Sequence, residues 1–209
     1  MIERYNFRER AMHWLTALTY MYGLATGLAF YSPNLFWLAV VLGGGPTSRF
    51  WHPIAGVLFL VGTIWMHDMW RRDMGMTETD KRWLKRMENY AKNQDELLPL
   101  SERFNAGQKL YYWLMVYGAI VLLLSGMFLW FPEFVSFRVA WIRSLMVLIH
   151  EIAALLTIGG FIVHIYMSVF FVPGSMEAMT VGHVSRAWAK AHHRLWYIRV
   201  TGGDAPSKE

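Results

Sequence analysis

Residues 145–172 read LMVLIHEIAALLTIGGFIVHIYMSVFFV, an apolar run broken only by Glu151 and two histidines, His150 and His164. The hydrocarbon core of a bilayer takes roughly 20 helical residues to cross, so this run is long enough to span. The two histidines stand fourteen residues apart. At 100° per residue that returns to within about 40° of the same helix face, and at 1.5 Å per residue it separates them by about 21 Å. One helix thus offers two imidazoles to the same side, one near each membrane surface. Ionisable side chains inside a membrane are costly and usually mark a site.

Three more stretches, 11–30, 53–70 and 110–131, are long and apolar enough to span, so the chain reads as an all-α membrane protein, a four-transmembrane-helix bundle. The second is the least secure, because His67 and Asp68 stand at its end. Composition agrees: of 209 residues 55% are hydrophobic and only 17% charged, against about 25% charged in a soluble domain. There is no cysteine, which excludes disulfides, iron–sulfur clusters held by this chain, thiolate zinc sites and covalently attached haem. Lys and Arg sit mainly in the N-terminal arm, the loop 71–109 and the whole tail after Pro173, seventeen against three elsewhere. That bias places both termini and the long loop in the cytoplasm, and points to lipid headgroups rather than nucleic acid. The first span is expected to be retained, since no Ala-x-Ala cleavage site follows it. One membrane domain over 1–200 is expected, with 201–209 frayed.

The topology pairs the histidines by depth. His52 opens the second span on the outer side, level with His150, and His13 opens the first on the cytoplasmic side, level with His164. One turn from each toward the bilayer centre stand Gly56, Ala154, Ala17 and Gly160, and Gly27 lies on nearly the face of His13. A flat macrocycle held against a helix needs such clearance, although small residues also serve helix packing. The favoured reading is two b-type haems, each held by two histidines. His67 rivals His13 as a ligand, but its inner neighbour is the branched Thr63. A zinc protease is disfavoured, because His150-Glu151 is followed by Ala154 where a second histidine is needed. A haem-free transporter is a distant alternative, without the broken helices or inverted halves such folds carry. His183, His192 and His193 read as solvated residues of the tail.

Two haems stacked across a membrane suit electron transfer between its faces, with quinone as the expected lipid-soluble acceptor. A quinone site needs polar groups for its carbonyls, and Asn105, Gly107, Gln108 and Lys109 at the cytoplasmic entrance to the third span offer them. Asn105 with Gln108 three residues later equally reads as a helix cap with a reciprocal partner.

Several stretches in order, Arg10-Ala11-Met12-His13-Trp14, His52-Pro53 with Gly56, Phe104–Lys109, Leu148-Ile149-His150, His164-Ile165-Tyr166-Met167 and the tail 184–193, resemble the cytochrome b (gamma) subunits of membrane-bound respiratory formate dehydrogenases. The resemblance covers nearly the whole chain. It implies an outer haem on His52 and His150, a cytoplasmic haem on His13 and His164, and a pocket for ubiquinone or menaquinone beside the latter. It also favours His13 over His67. Implied partners are a membrane-anchored iron–sulfur (beta) subunit and a molybdenum or tungsten catalytic (alpha) subunit, and the family suggests a trimer of complexes. Glu151 stands where the family more often has a small residue. The cytochrome b subunits of nickel–iron hydrogenases and thiosulfate reductases share the four-helix plan and are the close alternative.

Overall fold

The computed structural model describes residues 1–92 and 94–203. A two-residue strand, β1 (Ile2–Glu3), precedes a long helix, α1 (Phe7–Tyr31), and a short one, α2 (Trp37–Val41). The second long helix, α3 (Gly45–Trp70), leads to α4 (Glu78–Leu84) and α5 (Met87–Ala91). Two more long helices follow, α6 (Ala106–Trp130) and α7 (Trp141–Tyr166), the latter running into a π-helical turn at Met167–Phe171. The tail holds α8 (Ser175–Thr180), β2 (His183–Val184), α9 (Arg186–His192) and α10 (Arg194–Thr201). The last helical residue is Thr201, and 204–209, most of the end expected to fray, lie outside the described residues.

The four long helices fall where the four spans are expected, and each begins several residues earlier. The reason is local. Asn6 Oδ1 accepts from the Glu9 amide (3.0 Å) while Glu9 Oε2 accepts from the Asn6 amide (2.9 Å), a reciprocal cap that starts α1 ahead of the apolar run. Asn105 and Gln108 do the same for α6, at 2.9 and 3.0 Å. Before α3 the chain turns at Gly43 and Gly44, both at positive φ, and Pro46 falls in the first helical turn, where its missing N–H costs nothing.

Three of the helices, α3, α6 and α7 with its π-helical extension, are long and apolar enough to cross a membrane. At 25 residues α1 has the length, but His13 and its threonines and tyrosines make it less apolar than the other three, beyond the charges of its first turn. Large apolar side chains lie exposed along these helices, among them Leu58, Val61 and Ile64 on α3 and Ile152, Leu155 and Leu156 on α7. Soluble proteins rarely present such faces, and lipid is the solvent that suits them.

Contacts divide the chain into two compact units. The first, Ala11–Asp68 with Leu114–Val163, is purely helical. Tyr20, Phe59 and Ala119 form its core, with Leu24, Leu60, Met115 and Phe161 packed around them. Two threonines press on glycines of neighbouring helices: a Cβ at Gly62 would collide with the Thr16 side chain, and one at Gly118 with Thr157. Such close approach of helices is how membrane bundles gain packing without a hydrophobic drive.

The second unit gathers Met1–Arg10, Met69–Trp113 and the chain from His164 onward. Here β1 pairs antiparallel with β2, Ile2 opposite Val184, an interaction that no pattern in the sequence announces. Gly182 closes it: its carbonyl accepts from the Arg4 amide (2.8 Å), and at φ +94° a Cβ would lie 2.8 Å from the Tyr5 carbonyl oxygen. Tyr5, Trp70 and Phe104 pack as a ring cluster with centroids 5.5–6.3 Å apart.

Two expectations fail in this unit. Arg4, read as a topology signal at the headgroups, is only 3% exposed; its guanidinium lies among the rings of Tyr5, Phe104, Trp188 and Trp196. His193, read as solvated, is 1% exposed. Its Nδ1 donates to the Glu102 carbonyl (2.8 Å), which leaves Nε2 to accept from Arg4 Nη2 (3.1 Å). Burial first, then the Arg4 charge, hold His193 well below the ordinary histidine range, so the ring is neutral.

Candidate haem site

His52, in the second turn of α3 just before Pro53, and His150, on α7, come together in the helical unit. Their ring centroids are 6.3 Å apart and their planes cross at 61°. An imidazole nitrogen binds a metal at about 2.0–2.1 Å and lies about 1.1 Å from its ring centre, so two imidazoles on opposite sides of one ion have centroids about 6 Å apart. The observed spacing fits that arrangement. Among the described residues no three His, Cys, Asp or Glu side chains gather into a metal site. A haem iron needs no such group, because the porphyrin brings four of its ligands and two axial imidazoles complete the set.

The other ring nitrogen of each histidine is occupied. Thr26 Oγ1 lies 2.8 Å from His52 Nδ1 and 2.8 Å from the Tyr22 carbonyl. Ser125 Oγ lies 3.0 Å from His150 Nδ1 and 2.6 Å from the Val121 carbonyl. A hydroxyl has one proton, and in each case a helix carbonyl takes it, so the oxygen accepts from Nδ1–H, a proton that the Gly23 carbonyl shares for His52 and the Leu122 carbonyl for His150. Both rings are thereby set with the proton on Nδ1 and the lone pair on Nε2, the tautomer a metal requires. The next residue in each helix is a glycine over which the ring passes: a Cβ would stand 3.3 Å from His52 Cε1 at Gly27, and 3.3 Å from His150 Cε1 at Gly126. Thr26, Ser125 and Gly126 escape the sequence reading, and Gly27, expected to clear a macrocycle, clears an imidazole. The signal that could have found them is a hydroxyl–glycine dipeptide, Thr26-Gly27 and Ser125-Gly126, toward the C-terminal end of each partner helix.

The other expected residues fall as follows. Gly56 has nothing within 4 Å of where a Cβ would stand, so its side of α3 is open one turn from His52, as a macrocycle edge needs. Ala17, Ala154 and Gly160 are half-buried on α1 and α7. His13 is half-buried on α1, edge-on to Trp14. His67 is half-buried in the last turn of α3. In the second unit His164 stacks on Tyr111, with centroids 4.4 Å apart and planes within 6°. Tyr111 is a further residue that the sequence did not single out.

The polar cluster at the start of α6 also lies in the second unit. Asn105 and Gln108 spend their amide oxygens on the reciprocal cap, which leaves the NH2 groups as donors. Tyr90, hydrogen-bonded to Asn105, has its hydroxyl pushed up to about 12, by burial first and then by the Asp95 charge. A Cβ at Gly107 would lie 3.5 Å from the Trp83 ring, so backbone and indole meet closely there. Lys109, expected to face a cofactor, is buried with its ammonium donating to Asp80 (2.7 Å) and to the Gly75 carbonyl (3.0 Å). Burial pushes the Asp80 carboxyl up, but hydrogen bonds from Lys109 and Thr77 outweigh it and hold it below its ordinary range.

The description of prokaryotic cytochrome b561 matches residues 4–182. The formate dehydrogenase cytochrome b556(fdo) subunit of Escherichia coli K12 is 34% identical, with 95% of this chain and 93% of that protein covered. The nitrate-inducible formate dehydrogenase cytochrome b556(Fdn) subunit of the same organism is 31% identical over 98% of this chain and 94% of its own length. The formate dehydrogenase cytochrome b556 subunit of Haemophilus influenzae is 29% identical over 94% and 82%. A histidine pair spaced for one iron, apolar helices fit to cross a bilayer and these likenesses agree: the chain belongs to the prokaryotic cytochrome b561 family of membrane haem proteins, together with the cytochrome b556 subunits of formate dehydrogenases.

Proposed function

We propose that this chain is the dihaem cytochrome b subunit of a membrane-bound formate dehydrogenase in a bacterial inner membrane, and that it anchors the complex and delivers electrons to quinone. The meeting of His52 and His150, each held with its Nε2 lone pair available, is the observation that carries this reading. The second pair, His13 and His164, is carried by the sequence pattern of depth and spacing. Two b-type haems, when bound, supply one-electron carriers between an electron-donating partner and a two-electron acceptor. In this reading α1 joins the three apolar helices as a fourth span, with both termini cytoplasmic.

The residues divide the remaining work. His52 and His150 hold the outer group and His13 and His164 the cytoplasmic one. Asn105 and Gln108 offer amide donors to a quinone carbonyl, Gly107 lets a ring approach backbone, and Lys109 with Asp80 fixes the first turn of α6 that presents them. Quinone reduced there takes its protons from the cytoplasm. Charge moving inward to meet those protons builds a membrane potential, worth about 2.3 kcal/mol per charge per 100 mV. The partners are a membrane-anchored iron–sulfur subunit and a molybdenum or tungsten subunit that oxidises formate.

Substituting His164 by Ala is the test. The variant complex is expected to lose one haem and formate-dependent quinol formation, while formate oxidation with an artificial acceptor survives. Undiminished quinone reduction would sink the scheme. Assaying the purified wild-type complex with formate and with hydrogen separates this reading from a hydrogenase cytochrome.

A further inference from the structure

Thr26 and Ser125 are almost wholly buried, at 0% and 2% exposure, and each hydroxyl already has a partner in its own helix, the Tyr22 and Val121 carbonyls. A threonine or serine in a membrane helix is satisfied by that bond alone. The second contact of each, to a histidine on another helix, is therefore not needed for the hydroxyl's own sake. The two sites are also built alike, although they lie far apart in the chain. Each has the hydroxyl followed by glycine on one helix, an imidazole from another helix laid across the glycine, and Nδ1 at 2.8 or 3.0 Å from the oxygen. Glycine removes the Cβ that would push the ring away, and the hydroxyl fixes both rotation and tautomer of the ring.

The geometry assigns Thr26 and Ser125 as a matched pair of positioning residues that set the axial ligands of the outer haem, with Gly27 and Gly126 as the surfaces the ligands rest on. The assignment rests on the reading that His52 and His150 share one iron. An acceptor on Nδ1–H makes Nε2 a stronger donor, which favours the oxidised, more positive metal. The two hydroxyls thus hold the outer haem at a lower potential than bare imidazoles would. Because each oxygen's proton is committed to a carbonyl of its own helix, the acceptor is fixed in place and does not depend on water.

The test is a redox titration of the intact complex, followed in the visible spectrum, together with the haem-to-protein ratio. Thr26→Val keeps the shape and removes the hydroxyl acceptor, leaving His52 only the Gly23 carbonyl, and Ser125→Ala likewise leaves His150 only the Leu122 carbonyl. Each is expected to raise the midpoint potential of one haem, to leave the other unchanged, and to weaken haem retention by about 10–100-fold. Thr26→Ser, which restores the hydroxyl, is expected to restore the wild-type potential. Wild-type potentials in both Thr26→Val and Ser125→Ala would overturn the assignment. So would equal losses in Thr26→Val and Thr26→Ser, which would mean that only packing matters. If Thr26→Val does not assemble, Ser125→Ala and Thr26→Ser decide on the same readings. His52→Ala separates the premise: retention of both haems there would refute the shared iron itself, whereas loss of one haem with silent hydroxyl variants would refute only the positioning role.

Discussion

The helical unit and the unit built from the arm, loop and tail bury polar groups in opposite ways. In the helical unit Thr16, Thr26, Thr63, Ser125 and Thr157 all return their hydroxyl proton to a carbonyl three or four residues back in their own helix. None of these five bonds involves a charge. In the other unit Arg4, Glu9, Asp80 and Lys109 are buried ions, and they hold distant segments together. Glu9 accepts from Arg103 (2.7 Å) and from the Trp70 indole (2.7 Å), Arg103 also reaches Asp73 (3.3 Å), and Lys109 binds Asp80. Arg103 Nη2 donates to the Arg4 carbonyl (2.9 Å) while Arg4 Nη2 donates to that of Arg103 (2.5 Å), so two cations tie each other's backbone. The difference fits the solvent a membrane helix must tolerate: backbone and hydroxyl groups in lipid are best satisfied within one helix, whereas buried ions need partners, which segments far apart in the chain supply here.

Breaking the ionic side should have the largest effect. Lys109→Met leaves Asp80 buried without its cation, and a cost of about 3–5 kcal/mol is expected, read as faster proteolysis of the 71–109 segment. Adding Asp80→Leu should recover most of it, and a double variant as fragile as the single one would show that the pair is not the cause. On the helical side, Gly62→Ala and Gly118→Ala force a methyl into Thr16 and Thr157 and should cost about 1–3 kcal/mol, measured as a lower thermal midpoint in detergent. Pairing Gly118→Ala with Thr157→Ser would sharpen the point, since the threonine methyl is the atom that crowds Gly118 and serine lacks it. Asn105→Ala removes one half of the α6 cap, and about 1 kcal/mol is expected, visible as faster amide exchange at 106–109.

The smallest effect at neutral pH is that of His193. Unfolded, it takes up a proton as pH falls through about 6.5, whereas the buried ring resists protonation until far lower. Its contribution is therefore whole above about pH 6.5 and declines as pH falls below it. Protection factors against amide exchange over 186–201, corrected for the intrinsic pH dependence, should fall as pH is lowered from 7.5 to 5.5, and His193→Asn should flatten that response. Asp80 acts in the same direction at lower pH, its contribution present above its ordinary range and lost in stronger acid.

What could be read from the chain follows the range of the interactions. The two histidines of α7 and the small residues one turn away obey a helical period, so they are visible without a structure. The Asn105–Gln108 cap spans three residues and is equally visible. The contact of Ser125 with His150 joins two helices and leaves no periodic mark, and Asp80 stands twenty-nine residues from Lys109. Counting positive charges yields an expected topology, but it cannot tell an arginine at the headgroups from one sealed among aromatic rings. Arg4 and His193 were misread for that reason. The early starts of α1 and α6 were missed because apolar length, rather than the cap, was taken to mark the helix.

The central claim is that histidines on different helices share haem iron. Haem content and the reduced-minus-oxidised visible spectrum of the purified protein test it most directly. Two b-type haems per chain are expected, falling to one in His52→Ala and likewise in His150→Ala. A colourless protein, or a haem content that neither substitution changes, would contradict the account.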